Sequence, residues 1–177
     1  MITYIALLRG INVSGQKKIL MAELREMLEK MKFSEVQTYI QSGNVVFKSN
    51  VENVEVLSEK IEKGILNTFG FDVPILVCKA ATLGQIFKNN PYRDKDPKAV
   101  CFVLLNKTPK QLLIEELRKV TFPNEFFEIT TNCVYLYCLE GFGKAKCGTN
   151  FFERKLQVQA TTRNYNTMVK LLDMSAS

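Results

Sequence analysis

The order of secondary-structure patterns is the feature that most restricts the fold of this chain. In the first 79 residues, strand-like apolar runs and helix-like amphipathic stretches follow one another as β-α-β-β-α-β. The predicted strands cover residues 4–9, 36–40, 45–47 and 72–78, and the predicted helices cover residues 20–32 and 52–69. This order is the split βαβ arrangement of a ferredoxin-like sandwich, in which the strands lie side by side as 4-1-3-2.

Local patterns support these elements one by one. The first predicted helix has apolar residues at positions i, i+4, i+7, i+8 and i+11, which form one helical face: Leu20, Leu24, Met27, Leu28 and Met31. Gln41-Ser42-Gly43-Asn44 is typical of a tight hairpin. Pro74 lies inside the predicted fourth strand, and a residue without an N–H fits the edge position of that strand.

The same order begins again after a polar segment with two prolines, residues 89–98, which follows a predicted connecting helix at 80–88. Strands are predicted at 100–105, 125–130 and 134–139, helices at 109–120 and 151–158, and a last helix after Asn164. We therefore predict an α+β protein of two tandem ferredoxin-like (βαββαβ-type) units with antiparallel or mixed sheets. The units are residues 1–79 and 99–177, the second with a C-terminal helix, and residues 80–98 connect them.

Two predicted strands, at residues 4–8 and 100–105, are apolar on both faces. The helices of each unit cover one face of its sheet, so something else must cover the other face. We expect the two units to pack on each other. A homodimer interface is the alternative.

Composition removes several kinds of chemistry. The 177 residues include no histidine, which excludes Ser-His-Asp and Cys-His catalysis and histidine metal sites. The five cysteines are odd in number and contain no Cys-x-x-Cys, so we predict neither disulfides nor a metal site. We also predict no cofactor. The apolar run at residues 2–8 ends at Arg9 and is too short for a signal peptide or a membrane span. We predict a cytoplasmic protein with no membrane partner.

The positive charge is concentrated in two segments. The formal net charge is +6, and residues 9–18 carry +3 while residues 141–163 carry +4, so the remainder of the chain is −1. Both segments are also rich in Gly, Asn and Thr. This composition suits contact with a phosphate, a carboxylate or a nucleic acid, although it also suits general solubility.

Topology places two polar segments at one edge of the first sheet. Strands one and two run parallel with strand three between them, so the loop after strand one (residues 9–18, the strand-one loop) meets residues 41–44 (the first hairpin). The first helix also begins there, with its unpaired N–H groups. We predict ligand contacts from residues of both segments: Arg9, Gly10, Asn12, Gly15, Lys17, Lys18, Ser42 and Asn44.

Three further features have competing interpretations. The spacing Gly10-x-x-x-x-Gly15-Gln16-Lys17 resembles a P-loop, but Gln16 stands at the lysine position and no Ser or Thr follows. Arg163 and Asn164, with Asn164 as the N-cap of the last helix, form a second candidate anion site or a structural cap. Asn150 and Glu153 fit a capping box, and Cys147 is expected in an exposed loop as a free, unreactive thiol.

Three segments resemble a known family. They are Ala6-Leu-Leu-Arg-Gly-Ile-Asn-Val-Ser-Gly15, Tyr39-Ile-Gln-Ser-Gly-Asn-Val-Val-Phe47 and Ala160-Thr-Thr-Arg-Asn-Tyr-Asn-Thr167. They are similar to the bacterial family catalogued as domain of unknown function 1697, a resemblance that covers essentially the whole chain. The resemblance implies a two-part α+β fold with ferredoxin-like units and supplies no activity.

The chain departs from the family pattern at three positions. Ser14, Tyr165 and Ala145 stand where the family usually has Gly, Trp and Ser. If that serine took part in chemistry, this member would be impaired. The change at Ala145 therefore weighs against a serine mechanism at that loop.

Three functions remain open at this point. The leading hypothesis is a binding module for a phosphate-bearing ligand, either a nucleotide or a nucleic acid, although no surface pattern like that of RNP motifs is evident. The second is a metal-independent, transferase-like enzyme in which Arg9, Lys17 and Arg163 hold an anionic substrate and Glu153 or Cys147 reacts. The third is a protein-interaction module that uses exposed sheet surface.

Overall fold

The computed structural model describes residues 1–176, and within them the chain forms eight strands and six α-helices. The elements of the first half are β1 (Ile2–Leu8), α1 (Met21–Lys30), β2 (Ser34–Tyr39), β3 (Asn44–Ser49), α2 (Val54–Phe69), β4 (Ile75–Lys79) and α3 (Ala80–Lys88). Those of the second half are β5 (Val100–Leu105), α4 (Gln111–Leu117), β6 (Glu125–Ile129), β7 (Cys133–Cys138), α5 (Thr149–Leu156), β8 (Ala160–Asn164) and α6 (Tyr165–Ser175).

The chain divides into two compact units, residues 1–84 together with the segment from 170 onward, and residues 85–169. The first contains an antiparallel sheet in the order β2-β3-β1-β4, and the second an antiparallel sheet in the order β6-β7-β5-β8. The predicted pair of tandem ferredoxin-like units is confirmed. The domain boundaries predicted from the sequence stay a prediction.

Two details of the prediction are wrong. Residues 160–164 form strand β8, which pairs with β5 from Cys101↔Asn164 to Leu105↔Ala160, whereas the sequence suggested no strand there. Pro74 precedes β4, and its carbonyl accepts a hydrogen bond from the Arg9 N–H at 3.0 Å. The edge position of β4 is as predicted, because a proline next to an edge strand costs no ladder hydrogen bond.

Each sheet packs one face on its helices. In the first unit, Tyr4, Ala6 and Leu8 of β1 belong to a core shared with Leu57 and Ile61 of α2. In the second unit, the corresponding core is formed by alternate residues of β5 and β7 with Phe152 and Leu156 of α5: Cys101, Val103, Leu105, Val134, Leu136 and Cys138. The intervening residues Ile5 and Leu7 of β1 are buried too, as are all six residues of β5. In the second unit, the end of α3 covers part of the second face, because Phe87 stacks on Phe102 with ring centroids 5.7 Å apart and the Tyr135 hydroxyl donates to the Ile86 carbonyl at 2.8 Å. That the two units pack on each other stays a prediction.

The outer strand β2 carries a β-bulge. Its pairing with β3 shifts by one residue between Ser34↔Lys48 and Gln37↔Val46, and Glu35 within the shift has a left-handed φ of 51°. An extra residue on one strand bends that strand and interrupts the ladder. The Glu35 carboxylate forms an ion pair at 2.6 Å with Lys48, which lies on β3.

Among the described residues 1–176, none of the helices combines the length and apolarity of a membrane span.

Candidate functional site

The strand-one loop and the first hairpin lie together at one end of the first sheet, as the topology predicts. The Leu8 N–H at the end of β1 donates to the Gly43 carbonyl at 2.8 Å. The Asn12 side chain reaches the same hairpin, because its Nδ2 donates to the Gln41 carbonyl at 2.8 Å. The two segments therefore form one continuous surface at the sheet edge.

Asn12 holds the strand-one loop in shape. Its Nδ2 also donates to the Ile19 carbonyl at 3.0 Å, and its Oδ1 accepts the Ile19 N–H at 2.9 Å. The carboxamide thus closes the loop across seven residues and ties it to the hairpin at the same time. This geometry gives Asn12, which the sequence suggested as a ligand contact, a structural role in positioning its neighbours.

The tip of the strand-one loop is a two-residue turn. The Gln16 N–H donates to the Val13 carbonyl at 2.9 Å, and the central residues Ser14 and Gly15 have φ values of 50° and 74°. Positive φ at both central positions defines a type I′ turn, which glycine adopts at little cost. The resemblance of this segment to a P-loop is therefore confined to its sequence.

The first hairpin packs closely on the strand-one loop at Gly43. A Cβ on Gly43, whose φ is 80°, would stand 2.7 Å from Leu8 Cβ and 2.8 Å from Ile11 Cδ1. The adjacent Asn44 is fully buried, and its Nδ2 donates to the Tyr39 carbonyl and to Ser42 Oγ, both at 3.0 Å. Ser42 and Asn44, also predicted as ligand contacts, therefore stabilise the hairpin turn through these hydrogen bonds.

The basic residues of the strand-one loop differ in how accessible their side chains are. Lys17 is half-buried, and its Nζ donates to the Asp72 carbonyl in the segment before β4. Lys18 is exposed. Arg9 is half-buried, and its backbone is fixed to Pro74. Lys18 is therefore the cation of this loop whose side chain is most accessible.

Several backbone N–H groups of the loop remain available to a ligand. Gly10, Ser14 and Gly15 are exposed, and within residues 1–176 their N–H groups have no acceptor. Helix α1 begins soon afterwards at Met21, and its N-cap Leu20 makes no side-chain capping bond. The first N–H groups of a helix carry a partial positive charge. The loop edge therefore combines N–H donors, a helix start and basic side chains.

The second predicted anion site, Arg163 and Asn164, belongs to the second unit. Arg163 is 8% exposed, and its Nη1 donates to Thr161 Oγ1 and to the Thr162 carbonyl, both at 2.9 Å. Burial lowers the pKa of Arg163 to about 10, so the guanidinium stays charged at neutral pH. Asn164 caps α6 as predicted, because its Oδ1 accepts the Thr167 N–H at 2.8 Å.

The residues offered as reactive groups have structural partners. Cys147 is fully buried, which corrects the expectation of an exposed loop, and its Sγ donates to Glu125 Oε2 at 2.7 Å. The hydrogen bond with Cys138, burial and the Glu125 carboxylate together raise the pKa of Cys147. The side chain therefore stays a thiol and is a poor nucleophile.

The predicted capping box is wrong. Helix α5 begins at Thr149 with Gly148 as its N-cap, so Asn150 lies inside the helix. The Glu153 carboxylate accepts a hydrogen bond from the Ala160 N–H at 2.8 Å, which links the helix to the start of β8.

Among residues 1–176, no group of three or more metal-ligating side chains is present.

Sequence reasoning missed a row of aromatic rings in the second unit. Tyr92 stacks on Tyr137 with ring centroids 5.6 Å apart, and Tyr137 stacks on Phe126 at 6.1 Å, each pair inclined by 28°. Phe126 and Tyr137 are direct partners in the β6–β7 register. The register could have been predicted, because the hairpin centred on residues 131 and 132 places residue 126 opposite residue 137. We call these three residues the aromatic ladder.

The fold and the loop geometry define an α+β protein of tandem ferredoxin-like units, in which the strand-one loop presents several backbone N–H donors at one end of the first sheet. The chain belongs to the family described as protein of unknown function DUF1697, whose model matches residues 1–135. The resemblance to this family is thereby confirmed over residues 1–135, which include the first two of the three segments, whereas the third segment at residues 160–167 lies outside the match.

The fold is also similar to a solved structure, that of the conserved bacterial protein SP0830 from Streptococcus pneumoniae. The TM-score is 0.76 at 23% sequence identity, and 98% of each chain is covered. At this identity the likeness concerns the fold alone. The comparison with curated proteins found no match.

Proposed function

We propose that the strand-one loop and the first hairpin bind the phosphate group of a ligand, either a nucleotide or a nucleic acid. The observation that carries the proposal is the set of exposed N–H groups at Gly10, Ser14 and Gly15, which have no acceptor within residues 1–176. Backbone N–H groups in such turns and at helix starts form concave sites for anions.

Charge at the same edge supports this proposal. The strand-one loop holds three basic residues and no acidic one. Lys18 is exposed, and the Lys17 ammonium, which has three donors, uses one on the Asp72 carbonyl. A phosphate near Gly15 would therefore meet both N–H groups and cations.

The buried polar contacts give the edge a fixed shape before any ligand arrives. Asn12 closes the loop, Gly43 lets the hairpin approach, and Asn44 holds the hairpin turn. A binding surface that is already ordered loses less conformational entropy on binding. Arg163 and Asn164 remain a second proposed anion contact, in the other unit.

The enzyme alternative gains no support from the geometry. Cys147 and Glu153, its two candidate reactive groups, each hold part of the second unit together. A nucleotide or nucleic-acid partner and a homodimer remain proposals.

Titration calorimetry with inorganic pyrophosphate, comparing Lys18→Ala with Lys63→Ala, tests the proposal. Lys63 is an exposed lysine on α2 and serves as the matched control. We expect Lys18→Ala to weaken pyrophosphate binding by about fivefold, which corresponds to about 1 kcal/mol for an exposed ion pair. Lys63→Ala should leave it unchanged. Equal affinities for wild type and Lys18→Ala would move the site away from this loop.

The salt dependence of binding distinguishes the two ligand classes. If a single-stranded nucleic acid is the ligand, Lys18→Ala should reduce the log–log salt slope by about 0.7. A nucleotide held mainly by backbone N–H groups should show a shallow slope that the substitution hardly alters. The same two variants with an oligonucleotide and with adenosine triphosphate supply both measurements.

A further inference from the structure

The aromatic ladder lies on the sheet face opposite the core of the second unit, at a part of that face where Phe126 is exposed. Phe127 and Leu136 point into the helix-covered core, so their neighbours Phe126 and Tyr137 lie on the opposite face. Phe126 is on the edge strand β6 and is 49% exposed. The ladder therefore ends in an exposed ring that the core of the unit does not use.

The ladder also carries hydrogen-bonding groups. Tyr92 and Tyr137 each have a phenolic hydroxyl that can donate and accept a hydrogen bond. Burial and the nearby Glu128 carboxylate raise the pKa of Tyr92 to about 12, so its hydroxyl stays a donor at neutral pH. A ligand with flat rings and acceptor oxygens matches both properties.

The charge of the second unit indicates which flat ligand fits. Residues 85–169 contain 13 basic and 8 acidic residues, a net charge of +5, whereas the rest of the chain has 11 basic and 10 acidic residues. Lys98 precedes Val100, the partner of Tyr137 in the sheet register, and thus stands at the ladder end of β5. A polyanion with stackable bases complements this charge better than an apolar peptide does.

We propose that the aromatic ladder is a stacking platform for single-stranded nucleic acid, with a base adding to the row on the outer side of Phe126. Stacking on aromatic side chains is tolerant of sequence, because every base presents a flat ring. The Glu128 carboxylate lies on the same strand and face as Phe126, and its negative charge repels phosphates. The phosphates of the bound strand therefore pass at the other end of the ladder, where Lys98 lies. The platform goes beyond the phosphate site of the first unit and does not depend on it.

The absence of tryptophan from the chain makes a direct test practical. In the full chain, Phe126→Trp places a single indole at the end of the ladder, and Leu112→Trp places one at a 65%-exposed position on α4 as the control. We expect a short oligothymidylate to quench the emission of Phe126→Trp and to leave that of Leu112→Trp unchanged. Equal responses of the two indoles, or no response of either, would overturn the platform.

Affinity measurements complete the test. Phe126→Leu keeps an apolar side chain but removes the ring, and we expect it to weaken oligothymidylate binding by about fivefold or more. Glu128→Gln removes a negative charge beside the ladder and should strengthen binding. Undiminished affinity in Phe126→Leu, with a melting curve like that of wild type, refutes the platform.

The two proposed sites can fail separately. Pyrophosphate binding should be the same in Phe126→Leu as in wild type, because the platform contributes no phosphate contact in the first unit. Loss of pyrophosphate binding in Lys18→Ala supports the strand-one loop whatever Phe126→Leu does.

Discussion

Replacing Gly43 by alanine tests how closely the first hairpin packs on the strand-one loop. The added Cβ would stand 2.7 Å from Leu8 Cβ and 2.8 Å from Ile11 Cδ1, and both of these residues are 1% exposed. A left-handed backbone costs an L residue about 1–2 kcal/mol, and overpacking of a core costs about 1–3 kcal/mol. We expect Gly43→Ala to lower the free energy of unfolding by about 2–5 kcal/mol, the sum of these two costs.

Gly70→Ala is the matched control for this measurement. Gly70 ends α2 with a φ of 74°, but a Cβ there would have no neighbour within 4 Å. It should therefore cost only the backbone part, about 1–2 kcal/mol. Urea denaturation followed by circular dichroism and tyrosine fluorescence gives both values. If Gly43→Ala costs no more than Gly70→Ala, the hairpin does not press on Leu8 and Ile11 as described.

Two further predictions concern the second unit. Burial disfavours the charged form of Glu125, but hydrogen bonds from the Cys147 thiol and from the Lys146 and Cys147 N–H groups outweigh this effect and hold the pKa of Glu125 below its usual value. The ionised carboxylate therefore stabilises the fold above its unfolded pKa, and this contribution is lost as the pH falls through the folded pKa. Urea melts of wild type and Glu125→Gln should differ near neutral pH and converge in acid; a difference independent of pH would contradict this. Cys147 should resist Ellman's reagent in the folded protein at mildly alkaline pH and react after denaturation, with peptide mass spectrometry identifying the labelled thiols. Rapid labelling of native Cys147 would show that its burial is wrong.

The elements that were predictable from the sequence are those with a strong local pattern. β1 contains a continuous apolar run at residues 4–8, and β5 is such a run throughout. α3 was located at its observed bounds because a polar segment with two prolines follows it. β8 was missed because Ala160-Thr-Thr-Arg-Asn164 is polar, and it becomes a strand through pairing with β5 and burial of Arg163. Strand formation here depends on tertiary context, which outweighs local preference.

The candidate site was predictable in its position but not in its internal bonding. The βαββαβ order places the strand-one loop beside the first hairpin without further information. The link from Asn12 to Gln41, 29 residues away, depends on side-chain geometry that no local pattern contains. The same holds for Cys147, whose partner Glu125 lies 22 residues away. The burial of that thiol therefore could not be predicted from its glycine- and lysine-rich surroundings.

The bulge in β2 has a consequence for how this protein behaves in crowded solution. An uninterrupted edge strand offers its free N–H and C=O groups to a strand of another molecule, which is the first step of many aggregates. The left-handed Glu35 breaks the regular spacing of those groups and places a charge beside the gap. At the corresponding edge of the second sheet, β6 keeps one register with β7 from Glu125 to Ile129. Of these two edge strands, β6 is therefore the one more open to strand exchange between copies of this chain.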